Sequence, residues 1–152
     1  MLRCLCVCVL LLLRVSLPTN RADAADDRYV VLISVDGLAA TYFDDRHTAM
    51  PTLRRLAKEG AHAKGMLTSF PSVTWPSHVS LITGASPARH GVIGNSTLDR
   101  RTLGTIRYIG DPVFTKAECV RVPTLYDAVS KAGMKTASVI WPACNGATTL
   151  NW

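Results

Sequence analysis

Tyr29-Val30-Val31-Leu32-Ile33-Ser34-Val35, followed at once by Asp36-Gly37, is the stretch on which the fold turns. A strand with one wet face alternates polar and apolar residues, and this one does not. A near-continuous β-branched and apolar run is how a strand buried on both faces reads, which points to a parallel sheet between layers of helix. Lys135–Trp141 has the same character. Between the two lie helical segments. Pro51–Glu59 places Leu53, Leu56 and Ala57 on one face and stops at Gly60. Thr74–Thr83 carries Pro76, tolerated only in a first turn, with Thr74 as the expected N-cap and Gly84 as the stop. Pro123–Ala132 turns Leu125, Ala128 and Val129 inward and closes at Gly133. Residues 61–69 suit a loop and a short strand, and residues 96–122 a hairpin-like excursion around Gly110-Asp111-Pro112. Strand, helix, helix, helix, strand is an α/β order, and it predicts a doubly wound, mostly parallel sheet with flanking helices.

The first residues read as an address. Arg3 precedes the ten-residue apolar run Cys4–Leu13, too short for the roughly 20 residues that span a bilayer. Arg14 and Pro18 break it as a helix, and Ala22-Asp23-Ala24 supplies a small-residue exit. Residues 1–24 are therefore expected to be a secretory signal peptide and residues 25–152 the mature, exported portion, secreted or periplasmic, with no membrane span after signal removal. Cys4, Cys6 and Cys8 leave with the signal. Cys119 and Cys144 remain, as one disulfide or as two buried thiols, in neither case within a zinc-type spacing. The 152 residues are 48% apolar and 18% charged, with a net charge of +6, which excludes a disordered or coiled-coil chain. With no Lys/Arg run, that surplus argues against specific nucleic-acid binding and suits a small anionic substrate.

Three residues stand where chemistry would sit. Asp36 directly follows a buried strand, and ligands of open α/β sheets gather at the carboxyl ends of strands. It is either a ligand for a divalent cation or a turn cap with Gly37. Thr74 opens a helix whose positive end attracts anions. It is either an N-cap or a nucleophile whose hydroxyl a metal ion would activate. Asn95 closes a glycine-rich stretch, Thr83-Gly84 through Gly91-Val92-Ile93-Gly94. Its amide either donates to a phosphoryl oxygen or sits in a turn. His47 beside Asp44 and Asp45 reads as a charged loop, and His90 before Gly91 as structural.

Taken in order, Ile33-Ser34-Val35-Asp36-Gly37-Leu38, Met50-Pro51-Thr52-Leu53, Phe70-Pro71-Ser72-Val73-Thr74-Trp75-Pro76-Ser77-His78 and Thr83-Gly84 to His90-Gly91-Val92-Ile93-Gly94-Asn95 resemble the type I phosphodiesterase / nucleotide pyrophosphatase family of the alkaline phosphatase superfamily. The resemblance implies an alkaline-phosphatase-like fold and a hydrolase of phosphodiester or pyrophosphate bonds that uses two Zn2+ ions on a phosphate-ester or nucleotide substrate. It implies that Asp36 and Thr74 bind one zinc, that Thr74 is the nucleophile, and that Asn95 steadies the transferring phosphoryl group. Trp75 stands where the family usually has a phenylalanine that stacks on a nucleobase. An indole serves that role equally, or else packs as a core residue.

The sequence also departs from the family. Ser77 replaces a common Asn, and Val73 a common Lys, which removes a cation beside the nucleophile. Downstream of Thr74 the only histidines are His78 and His90, and no Asp-His pair occurs. Zinc takes about four ligands per site, so this chain supplies two for one site and none for the other. Residues 25–152 therefore read as the N-terminal portion of a larger domain, the nucleophile half of an active site, and are not expected to catalyse alone. The alternatives are another hydrolase of the same superfamily (phosphomonoester, phosphonate or lipid-headgroup), a truncated non-catalytic piece, and a plain α/β module.

Overall fold

The computed structural model describes residues 29–108 and 117–152, so the expected signal peptide and the Gly110-Asp111-Pro112 apex lie outside the described residues. Residues 34–152 form one compact unit. In it, α1 spans Pro51–Glu59, α2 Thr74–Thr83, α3 Pro87–His90 and α4 Leu125–Lys131, with an antiparallel ribbon of β1 (Ser96–Leu98) and β2 (Thr105–Arg107) between α3 and α4.

The helices fall close to where their sequence signals put them. α1 begins on Pro51, whose missing N–H costs nothing in a first turn, and ends at Gly60. α2 ends at Gly84, whose φ of 63° is the left-handed conformation that glycine adopts without strain. α4 starts at Leu125, two residues later than expected, because Thr124 caps it. The Thr124 hydroxyl accepts the Asp127 N–H, and the Asp127 carboxylate accepts the Thr124 N–H at 2.7 Å, a reciprocal capping box. The loop before α1 is tied to that helix by Arg54. Its guanidinium donates to the carbonyls of Phe43, Tyr42, Asp45 and Thr48. Asp45 accepts from the His47 N–H and the Thr48 hydroxyl, so its carboxylate serves its own turn.

Two expectations about strands are corrected. Tyr29–Val35 makes no ladder, and Val30 is 93% exposed. Lys135–Trp141 is not a strand either. Thr136 and Ser138 bond back to Asn151 and Trp152, and Ile140 is turned to a φ of 54°. The physical reason is the same in both. A doubly buried parallel strand needs a hydrogen-bonding neighbour along each edge, and the described residues offer only the β1–β2 ribbon. No strand occurs within residues 61–69. The hairpin does exist within 96–122, but it turns at Asp99–Gly104, where the Asp99 carboxylate accepts from Arg101 N and the Thr102 hydroxyl. The short helix α3 lies within the glycine-rich stretch, between Gly84 and Gly91.

The core is small and sits on one side of α2. Trp75 and Val79 from α2 meet Val92, Tyr108 and Ala143, with Cys119 and Val120 packed against them. Cys119 and Cys144 are not joined in a disulfide, and Cys144 Sγ donates to the Trp141 carbonyl at 2.9 Å. Replacing Thr124 with Ala removes one half of the capping box and should cost about 1 kcal/mol. Thermal unfolding should show Tm lower by about 2–4 °C, and an unchanged Tm would mean that the box contributes nothing.

Candidate active site

The first turn of α2 organises the site. A helix leaves its first backbone N–H groups without intrahelical partners. In α2 the N-cap is Val73, which offers no side-chain acceptor, and Pro76 has no N–H to satisfy. Two donors remain, those of Thr74 and Trp75. The Trp75 N–H donates to Asn95 Oδ1 at 2.9 Å. The Thr74 N–H has no partner among the described residues.

Thr74 is thus the first helical residue and not the N-cap that was expected. The difference matters chemically. A capping hydroxyl is turned back toward its own helix, whereas the Thr74 Oγ1 donates to Asp36 Oδ2 at 2.8 Å. Residues 38 positions apart are brought into hydrogen-bond contact. Asp36 is exposed, and Gly37, at a φ of 71°, turns the chain immediately after it.

Asn95 is gripped from two directions. Its backbone carbonyl accepts the Tyr108 N–H at the foot of the β1–β2 ribbon. Its side-chain oxygen faces Trp75 N, which can only donate, so the amide orientation follows and Nδ2 keeps both protons available. The Trp75 and Tyr108 rings close the same loop by stacking, with centroids 5.5 Å apart. Asp36, Thr74 and Asn95, the three residues singled out in the sequence, therefore meet around one helix start.

Trp75 takes the core placement left open in the sequence. It is 6% exposed, and Tyr108 stacks on it. What remains of the indole lines an open cleft of about 750 Å³ beside Thr74, together with Ile140, Trp141, Asn145 and Trp152.

Two residues with no assigned role in the sequence, Ser34 and His78, also belong here, and His90 is structural as expected. His78 Nδ1 lies 2.7 Å from the Thr74 carbonyl, and its Nε2 lies 2.9 Å from the Ser34 hydroxyl. Ser34 and His78 are 44 positions apart, a contact that no local spacing announces. His90 is fully buried and braces α2 against α3. Its Nδ1 accepts the Val92 N–H, so Nε2 carries the proton and donates to Ser80, whose hydroxyl donates to Ser69. Gly91 follows at a φ of 86°, and a Cβ there would stand 2.7 Å from Arg121 Nε.

Asp36 and Thr74 offer two oxygen donors on one exposed edge, a donor pair that suits a divalent cation. Among the described residues no group of three or more His, Cys, Asp or Glu side chains is placed to hold a metal ion. These two oxygens are fewer than the about four ligands that one zinc takes.

The sequence pattern that defines type I phosphodiesterases / nucleotide pyrophosphatases matches residues 30–150. The chain belongs to this family. It is 31% identical over 113 residues to a venom phosphodiesterase from Macrovipera lebetinus, covering 74% of this chain and 13% of that protein. It is 29% identical over 125 residues to ectonucleotide pyrophosphatase/phosphodiesterase family member 3 from Rattus norvegicus, covering 79% of this chain and 14% of that protein. Among solved structures it is similar to phosphonoacetate hydrolase from Sinorhizobium meliloti 1021, determined in complex with phosphonoacetate. There the TM-score is 0.50 and the identity 30%, over 67% of this chain and 24% of the other. The expected α/β class of the alkaline phosphatase superfamily is thereby shown, although the described residues complete no parallel ladder. The proteins so named are hydrolases, and this family member spans only 13–14% of the length of those two curated relatives. Among the described residues no helix is long and apolar enough to cross a membrane.

Burial holds the His90 imidazole below its ordinary pKa, against a smaller opposing effect of the Pro76 backbone. Because the folded value lies below the unfolded one of about 6.5, the unfolded chain takes up the proton first as pH falls. The stabilisation is complete above that value and is lost on acidification below it. Denaturant midpoints should fall between pH 7 and pH 5, and His90→Gln should flatten that slope while lowering the midpoint at pH 7. An equal slope in both proteins would show that His90 is not the group responsible.

Proposed function

We propose that this family member contributes the nucleophile and phosphoryl-binding half of an exported, metal-dependent phosphodiester or pyrophosphate hydrolase. The observation that carries this reading is the Thr74 hydroxyl, placed at the start of α2 and held on the Asp36 carboxylate at 2.8 Å. The substrate is a phosphate ester or nucleotide, in keeping with the names of the relatives. Export rests on the Arg3, Cys4–Leu13 and Ala22-Asp23-Ala24 pattern.

In this reading Asp36 and Thr74 would hold one divalent cation, zinc, and further ligands supplied by the full-length protein would complete that site and a second one. The bound cation supplies positive charge that lowers the hydroxyl pKa and polarises the phosphoryl group. Asp36 accepts the hydrogen bond that aims Oγ1. The Thr74 hydroxyl gives up its proton to water as its oxygen attacks phosphorus, the bond to the ester oxygen breaks and that oxygen takes up a proton from water, and the resulting phospho-threonine is later cleaved by a water that restores the Thr74 hydroxyl. Negative charge on the equatorial oxygens meets the uncommitted Thr74 N–H, the Asn95 Nδ2 and the positive end of the ten-residue helix. Trp75 furnishes part of the apolar wall of the cleft against which a base or other leaving group rests.

In the full-length protein, Thr74→Ala should slow zinc-supplemented hydrolysis of a nitrophenyl nucleotide ester by roughly a thousandfold or more, while Thr74→Ser keeps measurable turnover. Equal rates for wild type and Thr74→Ala would end the nucleophile assignment.

Asn95 separates binding of phosphate from support of the fold. Asn95→Asp retains an acceptor for the Trp75 N–H but loses the donor, so it should melt close to wild type yet lose about a hundredfold in kcat. Asn95→Ala should lose both stability and activity. Near-normal kcat in Asn95→Asp would remove the amide from the phosphoryl site.

A further inference from the structure

The Asp36–Thr74 hydrogen bond lies in contact with water, which competes for both partners. A bond of that kind has little net strength and does not by itself hold a geometry. Something else must keep Asp36 at the start of α2. The residues before it supply the answer. The Thr74 carbonyl can only accept, so His78 Nδ1 carries the ring proton and donates to it. Nε2 is then the acceptor, and the Ser34 hydroxyl donates to it. The tautomer follows from the network. His78 is 9% exposed, and its ring lies 5.3 Å from that of Trp141 at 75°, which leaves little freedom to swing away.

We propose that His78 is a positioning residue for the Asp36–Thr74 pair, acting through Ser34. One imidazole spans the two segments that carry the pair. Its Nδ1 holds the carbonyl of Thr74 itself, and its Nε2 holds the chain two residues ahead of Asp36. Two residues of extended chain reach only about 7 Å, so fixing Ser34 confines the Asp36 carboxylate to the neighbourhood of Thr74 Oγ1. On the far side the chain turns at once through Gly37, where Leu38 N closes onto the Val35 carbonyl at 3.4 Å. Asp36 is thus held from behind and turned from in front. The proposal rests on the catalytic reading of Asp36 and Thr74 for its consequence in rate, but the tether itself is a separate matter.

The test uses the full-length protein with Ser34→Ala, which cuts the tether and leaves α2 untouched, and Ser34→Thr, which restores a hydroxyl. Removing a partner that orients such a group typically costs ten- to a hundredfold, so Ser34→Ala should lower kcat about tenfold with KM nearly unchanged, and Ser34→Thr should recover most of it. The second readout is independent of turnover. The 13C resonance of the Asp36 carboxylate reports its bond to Thr74, with Thr74→Ala as the reference for a broken bond. In Ser34→Ala it should move toward that reference and in Ser34→Thr return. A resonance that stays at the wild-type position in Ser34→Ala overturns the tether. So does an unchanged kcat in Ser34→Ala when Thr74→Ala is inactive. If Thr74→Ala remains fully active, the nucleophile reading has failed, and the Asp36 resonance still decides the tether. His78→Phe keeps the aromatic packing on Trp141 and should shift the resonance as Ser34→Ala does.

Discussion

A helix that begins without a side-chain cap must place its first N–H groups elsewhere, and α2 solves this with a residue 20 positions downstream. The Asn95 side chain takes the Trp75 N–H, and the Asn95 backbone takes the Tyr108 N–H. The same contact therefore anchors the helix start, the foot of the β1–β2 ribbon and the Trp75–Tyr108 stack that centres the core. Because Val73 caps nothing and Pro76 donates nothing, the Thr74 N–H is left over at the positive end of the helix. Because Thr74 is not the cap, its hydroxyl is available to Asp36. Placing one amide side chain thus settles which groups of the first turn are structural and which face outward.

His78 on α2 and His90 at the end of α3 are both buried. His78 and His90 each lose the freedom to choose a tautomer, but by opposite means. The Thr74 carbonyl forces a proton onto Nδ1 of His78, whereas the Val92 N–H keeps the proton off Nδ1 of His90. Burial then disfavours the charged form of His90 and holds its pKa below the ordinary value. Asp127 shows the opposite balance at α4. Burial pushes its carboxyl up, but hydrogen bonds from Thr149 and from both groups of Thr124 outweigh it and hold the carboxyl below the usual carboxylate range. These polar contacts carry much of the local order, because few large apolar side chains are buried and Val30, Phe70 and Ile140 stand exposed.

Those bare side chains explain the one part of the architecture that the described residues do not display. Tyr29–Val35 has the composition of a strand covered on both faces, and family membership with an α/β relative agrees with that composition. A helix satisfies its backbone within itself, so α1, α2 and α4 form close to their sequence limits. A parallel strand satisfies its backbone only through neighbours. The family member described here spans a small share of its relatives' length, and its described residues supply no such neighbour.

The sequence by itself determined the fold class, three of the helices with their glycine and proline limits, and the identity of Asp36, Thr74 and Asn95 as residues to watch. The helices and the three polar residues rest on local chemistry (periodicity, φ preferences, or a polar residue at an element's end), whereas the fold class rests on the family pattern, since the two strands that argued it do not form among the described residues. Only the tertiary structure decided that Val73 and not Thr74 is the N-cap, that Trp75 is a core residue stacked on Tyr108, that the hairpin turns at Asp99–Gly104, and that Ser34 meets His78. The start of α2 is settled by which partner arrives from elsewhere in the chain, whereas the hairpin turn is closed by Asp99 on its own neighbours Arg101 and Thr102. A side chain's local propensity is silent about a partner 20, 38 or 44 residues away, and those three separations, Trp75 to Asn95, Asp36 to Thr74 and Ser34 to His78, are the ones that build the site.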